Sequence, residues 1–149
     1  MPVYLSNATR KTGLDLSAVE STLEQLLAAV DERDSSISLS FVRDPAIREL
    51  NRVHRGKDAP TDVLSFPLVE AGDEFAGAER LLGDIVISVD TALRQAADYD
   101  APLDREVQRL LIHGVLHLLG HDHMEAGERA VMEAEERRLA AAIDMPWPY

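Results

Sequence analysis

The chain contains no cysteine. Disulfides are excluded, and so is any thiolate metal site, which leaves imidazole and carboxylate as the side chains able to hold a metal. The absence of thiols also fits a reducing compartment. No apolar run approaches the length of a membrane span, and the first residues, Met1 to Asn7, lack the basic and long apolar stretches of a secretory signal. Basic residues are scarce: 15 Lys and Arg stand against 27 Asp and Glu, a formal net charge of −12. That balance favours solubility and opposes indiscriminate binding to polyanions. It argues against a general nucleic-acid coat protein but does not exclude a nuclease, because local charge can oppose the global sign. Residues 43 to 57 carry Arg43, Arg48, Arg52, Arg55 and Lys57 against Asp44 and Glu49 alone. Asp122, Glu125, Glu128, Glu133, Glu135 and Glu136 face only Arg129.

At 149 residues and 46% hydrophobic content the chain lies above the disordered range and suffices for one cored domain over 1–149. It has no repeat, no low-complexity segment and no linker. Val3 to Leu5 reads as a short strand. Asp15 caps a helix with Leu16, Val19, Leu23, Leu26, Leu27 and Val30 at helical spacing. Ser36 to Arg43 alternates, with Ile37, Leu39 and Phe41 on one side, and reads as a strand. Asp44-Pro45 is a cap followed by proline at the first helical position. The helix after it carries Ile47, Leu50 and Val53 and ends near Arg55-Gly56. Asp62 to Phe66 is a short β-rich run stopped by Pro67, and Val69 to Arg80, acidic and containing Gly72 and Gly77, is a loop. Asp84 to Val89 is a strand, Asp90 caps the following helix, and Asp100-Ala101-Pro102 breaks the chain. A longer helix runs from about Asp104 to Leu119 with Val107, Leu110, Leu111, Val115 and Leu118 inward. Glu125 to Ile143 is the last helix, ended by Pro146. Interspersed strands and helices predict an α/β (α+β) fold, a small mixed and mostly parallel sheet of about four strands covered by about five helices.

Four of the five histidines fall in the run His113-Gly114-Val115-Leu116-His117-Leu118-Leu119-Gly120-His121-Asp122-His123. His113 and His117, four apart, project from one helix face. Gly120 supplies a left-handed residue that ends the helix, after which His123 turns back to the same point. Three imidazoles suit zinc and leave a fourth position for water, the mark of a catalytic rather than a structural site. His121 is the other candidate for third ligand, although it lies one residue past the glycine and is more exposed. Asp122 is either a ligand or, as we prefer, an acceptor for the second N–H of an imidazole. Gly114, in mid-helix, costs roughly 1 kcal/mol against alanine, so either a close-packed backbone or the open side of the metal demands the space.

The spacing His-x-x-x-His-x-x-Gly-x-x-His is that of metzincin proteases, with one departure. Those enzymes place their general-base glutamate directly after the first histidine; here Gly114 stands there, so the peptide-hydrolysing chemistry does not carry over.

The histidine run closely resembles the signature of the YbeY family, bacterial endoribonucleases of rRNA maturation. A second block agrees: Leu50-Asn51, Arg55-Gly56-Lys57-Asp58 and Pro60-Thr61-Asp62-Val63-Leu64-Ser65-Phe66-Pro67. So does a third, Leu82-Gly83-Asp84-Ile85-Val86-Ile87-Ser88. Order and separation match, and the resemblance is weaker before Asn51 and after His123. It implies a metzincin-like zinc helix, with His113, His117 and His123 as ligands of one Zn2+ (or another divalent transition metal) per chain. It implies Arg55 as the critical basic residue, binding substrate and acting in catalysis. It also implies cytoplasmic work on the small-subunit ribosomal RNA: maturation of the 16S 3′ end and ribosome quality control. The partners are then ribosomal RNA, the small ribosomal subunit and ribosomal or GTPase assembly proteins, with neither DNA nor membrane. His54 stands where the family often has an aromatic residue and His121 where it often has tyrosine.

Cleavage of RNA at such a site needs a nucleophile, charge at the phosphate and a proton for the leaving oxygen. Arg55 has a planar, permanently charged fork suited to phosphate; its alternative reading is a helix-end arginine offsetting the dipole. Lys57 adds charge to the same groove, whereas Asp58, Thr61, Asp62 and Ser65 hold the loop and strand through turn hydrogen bonds. No general base stands out. The leading expectation is a single-metal endoribonuclease for single-stranded RNA; a ribosome-assembly binding factor with a structural metal is the alternative, and a metalloprotease rests on spacing alone.

Overall fold

The computed structural model describes residues 3–7, 13–68, 80–121 and 126–147. They form β1 (Val3–Asn7), α1 (Leu16–Ala29), β2 (Ser35–Val42), α2 (Asp44–Arg55), β3 (Val63–Pro67), β4 (Arg80–Ser88), α3 (Val89–Asp98), α4 (Leu103–Leu118) and α5 (Ala126–Ala142). The molecule is mixed α/β. The sheet order is β1-β2-β4-β3; β1 and β4 run parallel to β2, and β3 lies antiparallel to β4 at the edge.

Alternation on the strands divides the core between the two sheet faces. Ile37, Leu39 and Phe41 of β2 and Ile85 and Ile87 of β4 point into the main core, against Leu23, Leu26 and Leu27 of α1, Leu110, Leu111, Val115 and Leu118 of α4, and Met132 and Leu139 of α5. Leu64 of β3 and Val86 of β4 point the other way and meet Ile47 of α2, with Leu50 and Phe66 at the margin. The helices α4 and α2 therefore cover opposite faces, and both reach the edge strand β3. No helix among the described residues is long and apolar enough to cross a membrane.

Local signals set several boundaries as expected. The Asp15 carboxylate accepts from the Ser17 and Ala18 amides and starts α1. Gly56, at φ 71°, ends α2. Gly120, at φ 96°, closes α4; its amide donates to the His117 carbonyl and that of His121 to the Leu116 carbonyl, each at 3.0 Å, the paired bonds of a Schellman turn.

Other expectations need correction. Asp44 is the first residue of α2, not its cap; Arg43 holds the cap position without a side-chain bond. Ser88, not Asp90, caps α3, and Val89 belongs to that helix rather than to β4. The expected loop 69–80 lies outside the described residues except for Arg80, which begins β4. Pro67 does not stop β3 but pairs with Gly83, as an edge strand allows. Of Ile47, Leu50 and Val53 on α2, Ile47 is buried and Val53 is 59% exposed, a difference on which the sequence made no statement: at 100° per residue the face through Ile47 continues to Leu50, Asn51 and His54, and position 53 rotates off it.

Candidate active site

α4 carries the imidazole pair, and its seat on the sheet explains Gly114. A Cβ there would stand 3.0, 3.1 and 3.3 Å from three side-chain atoms of the buried Ile85 of β4. Close packing, not the open side of a metal, claims the space. The Ser65 hydroxyl of β3 donates to the Gly114 carbonyl at 3.3 Å. One turn on, Leu118 reaches Gly83, whose own Cβ would fall on the Phe66 carbonyl oxygen and 2.8 Å from Leu118 Cδ2. The helix is thus pinned to β3 and β4 at Gly114 and Leu118. His113 and His117 each stand one residue earlier, off that packing face and half-buried.

The Nε2 atoms of His113 and His117 approach to 3.0 Å, with ring centroids 4.5 Å apart and ring planes at 71°. Two nitrogens that each sit about 2.0–2.1 Å from a tetrahedral zinc are separated by about 3.3 Å. The pair thus fits two positions on one cation with little adjustment. Among the described residues no third His, Asp or Glu completes the set. His123 and Asp122 lie outside the described residues; His121 is half-buried at the mouth of the turn.

Near its N-terminus α4 is held by a buried polar group. Glu106 is fully buried and accepts both arms of the Arg109 fork, at 2.8 and 2.6 Å. Arg109 also donates to the Gln95 side-chain oxygen, whose amide donates to Asp62 at the start of β3. Asp62 further accepts from the Val63 amide at 2.7 Å. The turn-holding role expected of Asp62 and Ser65 therefore extends to aligning α4 with β3. The Glu106–Arg109 pair is local, three residues apart on α4, but its links to Gln95 and Asp62 come from other elements and leave no trace in the local sequence.

The basic side of the site is the end of α2. Arg55 is its last residue and Lys57 follows the left-handed Gly56; both are exposed. Neither makes an ion pair with another described residue, whereas Arg48 is held by Asp58 at 2.8 Å and Arg52 by Glu49. Asp58 fastens the turn to α2 not by a turn hydrogen bond but by taking the Arg48 guanidinium, which holds its carboxyl below the ordinary range. Asn51 fixes the same turn from below: its Nδ2 donates to the Ala59 carbonyl at 2.8 Å, and its own carbonyl accepts from the Lys57 amide. His54 packs on Phe66 of β3, centroids 4.9 Å apart. Phe66 is therefore the hinge point of the site. Its ring meets the end of α2, and its carbonyl lies beside Gly83 and Leu118 at the end of α4.

The described residues thus bring together a half-buried pair of imidazoles one helical turn apart, closed by a glycine turn, and across β3 the exposed Arg55 and Lys57 at the end of α2, neither ion-paired among the described residues. The family model described as Endoribonuclease YbeY matches residues 4–144, and the chain belongs to that family. The Endoribonuclease YbeY of Moorella thermoacetica is 49% identical over 135 residues, covering 84% of this chain and 86% of the relative. That of Pelotomaculum thermopropionicum is 42% identical over 151 residues, covering 97% and 99%. The solution structure of a Thermotoga maritima protein shares the fold at a TM-score of 0.61 and 24% identity, covering 95% of this chain and 91% of that one.

Proposed function

We propose that this chain is a metal-dependent endoribonuclease that cuts single-stranded RNA and acts in the cytoplasm on 16S rRNA, in maturation of its 3′ end and in ribosome quality control. The observation that carries the reading is the 3.0 Å approach of the His113 and His117 Nε2 atoms on one face of α4; Arg55, exposed at the end of α2 and without an ion pair among the described residues, is the cation the reading assigns to the phosphate. With His123 as the third donor they make a metzincin-like zinc helix. A zinc ion held there supplies positive charge for a phosphoryl oxygen and acidifies a water.

The chain's own residues do the rest. Arg55 binds the phosphate by its planar fork, and Lys57 adds a second cation. The Asn51 bonds hold the backbone of the turn that carries Gly56 and Lys57, so the attachment points of both cations are fixed. Asp122 orients a ligand imidazole by accepting its outer N–H. Peptide hydrolysis of the metzincin kind has no place for its base: the Cβ position of Gly114 already touches Ile85, so no glutamate fits. Ribosomal RNA, the small subunit and its assembly proteins are the partners this reading requires.

Metal analysis of the wild type beside His113→Ala, His117→Ala and His123→Ala, with cleavage of a single-stranded RNA measured on the same samples, tests the proposal. Each histidine variant should lose the metal and the cleavage together. Arg55→Ala should keep the metal and lose cleavage on the order of a hundredfold, the usual effect of removing one donor to a developing charge. Equal cleavage by metal-free and metal-loaded protein sinks it.

A further inference from the structure

We propose that His54 and Phe66 form a base-stacking platform for the nucleotide whose phosphate Arg55 holds. The inference rests on the endoribonuclease reading and adds to it the place where a base is gripped. The two rings meet at 65° with centroids 4.9 Å apart. An edge contact of this kind covers little ring area and leaves open faces, unlike a parallel stack. His54 is exposed and Phe66 half-buried, so the corner between them opens to solvent. Phe66 is anchored: it packs at the margin of the Ile47, Leu64 and Val86 cluster, and its backbone is locked against Gly83 by β pairing. His54 is anchored by α2, one residue before Arg55.

The chemistry of such a corner is specific. Every nucleobase has a π face, so a fixed aromatic ring holds an unstacked base whatever its identity. A base paired within a duplex cannot reach it, because its faces are already stacked. An arginine on the adjacent residue takes the phosphate of the same nucleotide. This arrangement selects single strands without reading their sequence. It sits at the edge strand, across β3 from α4, so a strand rounding that edge passes from Arg55 toward the imidazole pair. No other ring pair among those found in the described residues combines an open face with a neighbouring unpaired cation; the other is His113 with His117.

The test uses a short single-stranded RNA and the same strand with one base removed at successive positions, binding each to the metal-loaded protein under conditions that block cleavage. In the wild type, base removal at one position should weaken binding on the order of tenfold. In His54→Ala the intact strand should bind on the order of tenfold more weakly, and removal of that base should then cost nothing further. His54→Phe, which keeps a stacking face, should restore the wild-type pattern. Phe66→Leu, which keeps the apolar anchor, should give an intermediate loss. The inference is overturned if His54→Ala retains the full sensitivity to base removal, or if no position is sensitive in the wild type while RNA is still bound and cut. Loss of all RNA binding and cleavage by the wild type would instead overturn the endoribonuclease reading, and the platform with it.

Discussion

Gly83 and Gly56 both adopt positive φ, 154° and 71°, and they require glycine for different reasons. At Gly56 nothing lies within 4 Å of an added Cβ; only the left-handed backbone is at stake, and Gly56→Ala should cost about 1 kcal/mol. At Gly83 an added Cβ meets the Leu118 side chain, which can rotate aside, and the Phe66 backbone carbonyl, which cannot move without shifting β3. Gly83→Ala should therefore cost roughly 3 kcal/mol or more, the sum of overpacking and backbone strain. Urea unfolding of both variants checks the contrast; equal midpoints would mean that β3 yields freely there. The same pair shows what a sequence discloses. The turn glycines Gly56 and Gly120 were legible because a left-handed helix end is a local event. The need for Gly83, and the role of Phe66 as the contact point of two helices, come from residues far apart in the chain and leave no local trace. His113 and His117 were legible as a pair because helical periodicity alone brings i and i+4 together.

The starts of α2 and α3 are built as one unit. The Asp90 carboxylate of α3 accepts from the Asp44 amide at 2.9 Å and from Arg43 at 2.8 Å, so it serves the N-terminus of α2. Asp44 of α2 in turn accepts from the Ser88 hydroxyl at 2.6 Å, the Thr91 hydroxyl at 2.7 Å and Arg94 at 2.8 Å, at the start of α3. Sequence reasoning assigned each aspartate to its own helix because capping is usually local. Here the helix ends are close enough to exchange acceptors, and only the fold supplies that proximity. Burial pushes the Asp44 carboxyl up, but the bonds from Ser88, Thr91 and Arg94 outweigh it and hold it below its ordinary value. The Asp44 amide and the Arg43 guanidinium do the same for Asp90. Both pKa values are depressed on folding, so their stabilisation is present above the unfolded value of about 3.9 and is lost as pH falls through the folded values. Asp44→Ala leaves the buried Ser88 hydroxyl without this acceptor and should cost about 2 kcal/mol at pH 7. Its deficit relative to wild type should shrink below about pH 4. Unfolding curves at pH 7 and pH 3 decide this, and a deficit of the same size at both would show that the carboxylate charge is irrelevant to the junction.

For the whole molecule the difficulty is its charge. A protein of net charge −12 repels RNA at long range, and binding must come from a small surface that opposes the global sign. Residues 43 to 57 are predominantly basic in the sequence, five cations against two acids, yet the structure divides the cations. Arg48 and Arg52 are neutralised by Asp58 and Glu49, Arg43 by Asp90; Arg55 and Lys57 have no ion-pair partner among the described residues. Single-stranded RNA loses affinity with salt by a log–log slope of about 0.7 for each phosphate neutralised. Arg55→Ala and Lys57→Ala should therefore each reduce that slope by about 0.7. Arg48→Ala and Arg52→Ala should leave it nearly unchanged, since each removes a charge already matched by a carboxylate. Asp58→Asn reverses the logic: it releases Arg48, so RNA should bind more tightly and with a steeper salt dependence than to the wild type. Titrations of one short RNA over a range of salt concentrations measure all five variants on one scale. If the slope falls by the same amount at Arg48, Arg52, Arg55 and Lys57, then RNA displaces the surface ion pairs, and the whole exposed face of α2, not its C-terminal turn, is what the nucleic acid meets.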